Sequence, residues 1–253
     1  MRAPLTLPRR TALRLTAVTV LSSGPFLASC SSQNSAPATF AERGYPEAPP
    51  QRIPPARANG TNLESRPIAE LPDPKWLRTT SQRTGIPERA LAAYAGASLV
   101  MAHRRVDCHI GWNTIAAIGA VESGHGSHGG SRVGKDGTVH PPIIGVPLNG
   151  QGKVAAVHDT DDGRLDGDTE WDRAVGPMQF IPETWTNFAQ DGNRDGTKNP
   201  QNLDDAALTT AVYLCSSGGP MTSTEGWNRA IVTYNQSKQY AQDVADLAAK
   251  YAG

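Results

Sequence analysis

The run "NTIAAIGAVESGHGSHGG", residues 113–130, decides how the rest of the chain is read. Ile115, Ile118 and Val121 recur at helical spacing behind Asn113, a residue suited to capping a helix start, so a helix with one face in a core is expected. Glu122 follows Ile118 by one helical turn, which puts a carboxyl at the margin of that apolar face. Losing water on one side disfavours the charged form, and the group becomes a candidate proton donor near neutral pH. Gly124, Gly126 and Gly129 then break the helix. His125 and His128 are evenly spaced after Glu122, but zinc proteases keep both histidines on one helix, so loop histidines beside a groove are expected rather than metal ligands.

Outward from this run, the 253-residue chain opens with Arg2, Arg9, Arg10 and Arg14, no acid, and a short apolar stretch from Ala12 to Leu27. That is the layout of a secretory signal over residues 1–29. It is too short and too interrupted to be read as a membrane span. The following "LASC" resembles the lipobox of bacterial lipoproteins, which implies a lipid on Cys30 and a place on the outer face of the cytoplasmic membrane. Removing the four signal arginines from 24 Lys+Arg leaves 20 against 24 Asp+Glu, a net charge of −4, which argues against a nucleic-acid partner. Cys108 and Cys215 remain, and a pair in an exported chain points to a disulfide.

Residues 30–75 are rich in Pro, Ser, Ala, Asn and Arg and poor in large apolar residues, so a disordered, lipid-anchored tether is expected there. Order is expected from about Trp76, with the domain spanning 76–253. "TGIPERALAAYAGASLVMAHRR" reads as a long helix carrying Leu91, Tyr94, Ala95 and Leu99 on one side. "LDDAALTTAVYLCSSGG" reads as another, with Leu208, Ala211, Val212 and Cys215 sharing a face and Gly218-Gly219 as its stop. One or two helices close the chain. Between Ser131 and Gly167, glycines, prolines and short β-branched pieces indicate a loop or small hairpin. The expected fold is therefore mainly α, with one glycine-rich insertion.

Three short patterns follow in order: "ESGHG" at Glu122, "VGPMQFIPETW" from Val175 to Trp185, and Tyr234-Asn235 in "AIVTYNQSKQYAQDV". This order resembles the lytic murein transglycosylases of the goose-lysozyme-like superfamily, most nearly the membrane-bound B type, over about Thr84 to Val244. The resemblance implies a lysozyme-like domain that cleaves the MurNAc-GlcNAc β-1,4 bond of peptidoglycan without a catalytic cofactor. It makes Glu122 the acid and then the base, with a 1,6-anhydro product, so that no second carboxylate is needed. It assigns Ser123 to support of that carboxyl, Gly176, Met178 and Gln179 to orientation of the N-acetyl sugar, and Tyr234 and Asn235 to the wall facing the Glu122 carboxyl. A monomer acting on glycan strands is expected.

Two acidic stretches complicate this reading. "HDTDDGRLDGDTEWDRAVG" gathers seven acids, among them Asp168 and Asp172, and a two-carboxylate hydrolase could recruit one as a base for water. "DGNRDGTKNPQNLDD" places Asp191, Asn193, Asp195 and Thr197 like the first half of an EF-hand loop, with Asn202 where the bidentate glutamate would stand. Asp204 or Asp205 could close the site through a longer loop; the B-type enzymes that the chain resembles have such a loop, which implies Asp205, and a structural calcium ion stands against a hydrogen-bonded Asx-rich turn. No G-x-S-x-G elbow surrounds a serine. The rival from another class is a non-catalytic glycan-binding or scaffolding lipoprotein.

Overall fold

A computed structural model of the chain describes residues 37–57, 63, 65–152 and 154–253. The expected signal and the Cys30 anchor lie outside the described residues. Ala38–Gly253 forms one compact unit. Its helices are α1 (Pro74–Thr84), α2 (Glu88–Arg104), α3 (Trp112–Ser123), α4 (Pro182–Phe188), α5 (Leu203–Ser217), α6 (Thr224–Tyr234) and α7 (Lys238–Ala252), with a 3-10 turn at Ile68–Glu70. None of the described helices is long and apolar enough to cross a membrane.

Local chemistry explains most of the helix ends. The Asp73 carboxylate accepts from the Trp76 amide, Pro74 opens α1, and Gly85 closes it in the left-handed region. Asn202, Ser223 and Ser237 cap α5, α6 and α7 in the same manner. Helix α2 is the central rod: every residue from Ala90 to Met101 is buried. Its alanines let α3, α5 and the 3-10 turn approach closely. Helix α3 in turn lies against α7, and α5 against α6. Each large apolar side chain sealed here, such as Leu91, Ile115, Ile118 and Leu208, contributes roughly 1.5–3 kcal/mol.

The expected insertion is two small antiparallel pairs, β1 (Arg132–Val133) with β2 (Val139–His140) and β3 (Ile144–Pro147) with β4 (Arg173–Val175). Strand β4 leads directly into the second sequence pattern. Cys108 and Cys215 are bonded, tying the loop after α2 to α5.

Three expectations are corrected. Order begins well before Trp76: residues 38–57 lie along the helical unit, with Phe40 and Pro49 buried. The Phe40 and Ala48 amides donate to Glu225 and Thr224, and Asn228 donates to Pro46 O. A segment poor in large apolar residues is ordered here by backbone hydrogen bonds, which composition does not count. Asn113 is not the cap of α3, because Gly111 stands at that position and Asn113 is fully buried inside the first turn. Val121 is 36% exposed, so it lies off the buried face of α3, which runs through Ile118 and Gly119 to Ser123.

Candidate active site

Glu122 lies in the last turn of α3, which ends where Gly124 turns left-handed. Around it, side chains from three other helices converge. Tyr240 Oη, from the first turn of α7, donates to Glu122 Oε1 at 2.6 Å. Tyr234, from the end of α6, stacks against Tyr240 with ring centroids 6.5 Å apart. Tyr94 of α2 packs its hydroxyl onto Gly119, one turn before Glu122 on the same side of α3, where a side chain would collide with it. Burial in this aromatic surround pushes the Glu122 carboxyl up to about 7, although the Tyr240 hydrogen bond opposes the rise. Tyr240 and Tyr234 are held well above their ordinary range by burial and by Glu122 itself, so both stay protonated as donors.

The second pattern reaches the site through the turn after β4. Val175 and Phe180 exchange backbone hydrogen bonds across Gly176–Gln179. Gly176 has φ 77°, and a Cβ there would run into the Pro200 carbonyl, so only glycine fits. Ser123 Oγ donates to Pro177 O at 2.6 Å and accepts from the Gly126 amide at 2.8 Å. The Met178 carbonyl accepts from Tyr234 Oη at 2.6 Å. Thus Ser123 and Tyr234 each bolt the turn to a helix end, one on α3 and the other on α6. Gln179, itself at φ 49°, donates to Gly176 O at 3.0 Å and places Oε1 near Gly145 on β3. Beside it, a cavity of about 80 Å³ is lined by Gln179, Phe180, Thr184, Tyr213 and Tyr234.

The expected residues are therefore brought together with different parts to play. Glu122, Ser123, Gly176, Met178, Gln179 and Tyr234 form one linked set. Asn235 is exposed at the end of α6, and its Oδ1 accepts from the Ser237 amide. Tyr240 escaped sequence reading: its spacing with Val244, Ala248 and Tyr251 marks only the apolar face of α7. His125 is not a loop histidine facing a groove. Its Nδ1 and Nε2 lie 3.2 and 3.4 Å from the hydroxyls of Tyr94 and Tyr251, and burial lowers its pKa to about 4. His128 is exposed.

Neither acid proposed as a second base is free. Asp172 is fully buried with both oxygens engaged by Thr160. Asp168 accepts from the Glu170 and Trp171 amides and pairs with Arg173, and these contacts hold it below the usual carboxylate range.

In the 191–205 loop, Asp191 accepts from the Gly196 amide, Asn193 from Asp195 and Asp195 from Thr197. Asp191 Oδ1 is buried without a partner, so one oxygen suits a cation. Asp205 does not fit as the closing ligand: Oδ1 accepts from the Gly192 and Asn193 amides and Oδ2 from Asn199. A trio of acids whose oxygens do lie within 4.8 Å of one another is Asp159, Asp161 and Asp172. A larger concavity, about 650 Å³, is lined by Glu70, Arg89, Lys135 and Asp136 among others, and none of the set around Glu122 borders it.

Residues 159–228 match the family model described as a transglycosylase SLT domain. The match takes in the Gly176–Gln179 turn and stops short of Glu122 on one side and Tyr234 on the other. No curated protein matches the chain. Among solved structures, SltB3 from Pseudomonas aeruginosa in complex with NAG-anhNAM-pentapeptide is similar at 20% identity and a TM-score of 0.42, over 72% of this chain and 64% of that one. This chain thus spans just under two thirds of the length of SltB3. The Escherichia coli lytic transglycosylase Slt35, in complexes with bulgecin A and with calcium, is similar at 15% identity with TM-scores of 0.40 and 0.39, over 70% of this chain and 78% of that one.

Proposed function

We propose that this protein is a peptidoglycan lytic transglycosylase that cleaves the MurNAc-GlcNAc β-1,4 bond and leaves a 1,6-anhydro-MurNAc end. The observation that carries the reading is a carboxyl, Glu122, gripped on one oxygen by Tyr240 and raised to about 7. The match over residues 159–228 supports it. At neutral pH such a group is protonated in a large fraction of molecules and can also release its proton. In the first step Glu122 gives its proton to the glycosidic oxygen as the C1–O bond breaks. The resulting carboxylate then takes the proton of the sugar's 6-hydroxyl, whose oxygen closes on C1. The proton balance closes without water and without a second carboxylate, in keeping with the engagement of Asp168 and Asp172 elsewhere.

In this reading the turn held by Ser123 and Tyr234 presents Gln179 to the N-acetyl sugar. The chemistry needs no cofactor. Export, a lipid on Cys30 and a place at the outer face of the cytoplasmic membrane belong to the same proposal, as does a structural calcium ion at Asp191, Asn193 and Asp195. Mass spectrometry of purified peptidoglycan digested by the protein provides the test. Anhydro-ended fragments are expected, and Glu122→Gln should abolish them while glycan binding persists. Reducing ends would make the enzyme a hydrolase, and the absence of any release would make it a binder.

A further inference from the structure

The segment expected to be a tether meets the catalytic helix at its far end. Helix α3 has no side-chain cap of its own, which leaves its first amides in need of acceptors. Residues 50–52 supply them. Gln51 Oε1 accepts from the Gly111 amide at 2.8 Å and from Thr114 Oγ1 at 3.0 Å, and the Arg52 carbonyl accepts from the Trp112 amide at 3.0 Å. Asn113, buried in that first turn, accepts from the Arg52 amide and donates to Pro50 O. Its amide nitrogen also donates to Ala248 O in the second half of α7, at 3.0 Å, and Arg52 Nε donates to Ala252 O.

Helices α3 and α7 pack along their lengths, and they are now tied at both ends. Asn113 holds Ala248 at one end, and Glu122 holds Tyr240 at the other. The two ties are separated by roughly 12–14 Å on either helix, so they act as rungs of one antiparallel pair. A slip of α3 along α7 would move both.

We propose that Gln51 and Arg52 are positioning residues for Glu122: by capping α3 and gripping Asn113 they set its register on α7, and with it the Tyr240–Glu122 hydrogen bond. The inference rests on the reading of Glu122 as the proton donor. The polar groups that face this carboxyl come from α7 (Tyr240) and α6 (Tyr234), and Tyr94 of α2, bonded to His125, backs the preceding turn. All three tyrosines are neutral near pH 7, so a register change acts on Glu122 through the lost donor rather than through a changed charge. With that donor gone, burial is unopposed and proton affinity rises.

The test uses the full chain with labelled glutamate carboxyl carbons, so that Glu122 is titrated by NMR without reliance on turnover. Gln51→Ala should raise the Glu122 midpoint by roughly half a unit in the same direction as Tyr240→Phe. Gln51→Glu keeps the acceptor and should restore the wild-type value. Adding Gln51→Ala to Tyr240→Phe should shift the midpoint no further. In glycan cleavage, kcat should fall about five-fold with KM unchanged. Arg52→Ala, which removes only the tie to Ala252, serves as the milder variant should Gln51→Ala not fold, with a smaller shift of the same sign. A lowered melting temperature with an unmoved midpoint, or full additivity with Tyr240→Phe, overturns the proposal. If the midpoints move as expected while wild-type protein releases no fragments, the proposed activity fails and the positioning role stands.

Discussion

Glu122 and His125 are three residues apart, and burial pushes their proton affinities in opposite directions. Glu122 rises from about 4.5 to about 7, so the native state keeps a proton that the unfolded chain has already released. Its contribution to stability is full below about pH 4.5 and is lost as pH rises through 7, a difference on the order of 3 kcal/mol. His125 falls from 6.5 to about 4, so the unfolded chain takes up its proton first. Its contribution is full above pH 6.5 and is lost as pH falls toward 4, by a similar amount. Between about pH 4.5 and 6.5 the two slopes nearly cancel. Glu122→Gln removes one of them. The variant should melt higher than wild type at pH 8, and its melting temperature should decline steadily from pH 6.5 to 4 where the wild type stays nearly flat. Parallel profiles for the two proteins would mean that the Glu122 carboxyl is not desolvated in the native state.

At the scale of elements, the turn after β4 and the loop before α5 are both set by close backbone approach. Gly176 combines a left-handed φ with contact against the Pro200 carbonyl. Gly176→Ala should cost about 2 kcal/mol or more, because strain and overpacking add. It should also reduce glycan cleavage beyond its effect on stability, since Gln179 and the Met178 carbonyl ride on that turn. Thermal melts and initial rates on one preparation separate the two effects. The 191–205 loop is organised by amides donating to Asp191, Asn193, Asp195 and Asp205, with one Asp191 oxygen unpartnered. A cation at that oxygen would stabilise the native state by mass action. Chelation should therefore lower the melting temperature, calcium should restore it, and Asp195→Ala should remove the response. Equal melting in chelator and in millimolar-range calcium would leave the loop as a hydrogen-bonded turn.

For the whole molecule, two long-range ties hold the helices around the site. The Cys108–Cys215 bond spans 107 residues and encloses α3, the insertion and α4. Closing a loop of that length stabilises by about 4 kcal/mol or somewhat less in the chain-entropy picture. The double variant Cys108→Ala/Cys215→Ala should melt well below wild type under non-reducing conditions, and reductant should move wild type toward it. Residues 38–57 form the second tie, running past α6, α7 and the start of α3.

The sequence by itself determined the parts that are local. Helices α2, α3 and α5, the carboxyl at the end of α3 and the small hairpin insertion all follow from periodicity, glycine breaks and residue type within a few positions. Tertiary structure decided what depends on partners far away along the chain. Tyr240 meets Glu122 across a separation of 118 residues, and Asn113 meets Ala248 across 135. Apolar spacing marks a buried face but not the polar atom opposite it, so the donor to Glu122 stayed hidden on α7. Residues 38–57 looked like a tether because they carry little apolar surface. They are ordered because their backbone and Gln51 satisfy the open end of α3, and neither hydropathy nor charge along the chain records an unsatisfied amide in a helix that begins some sixty residues later.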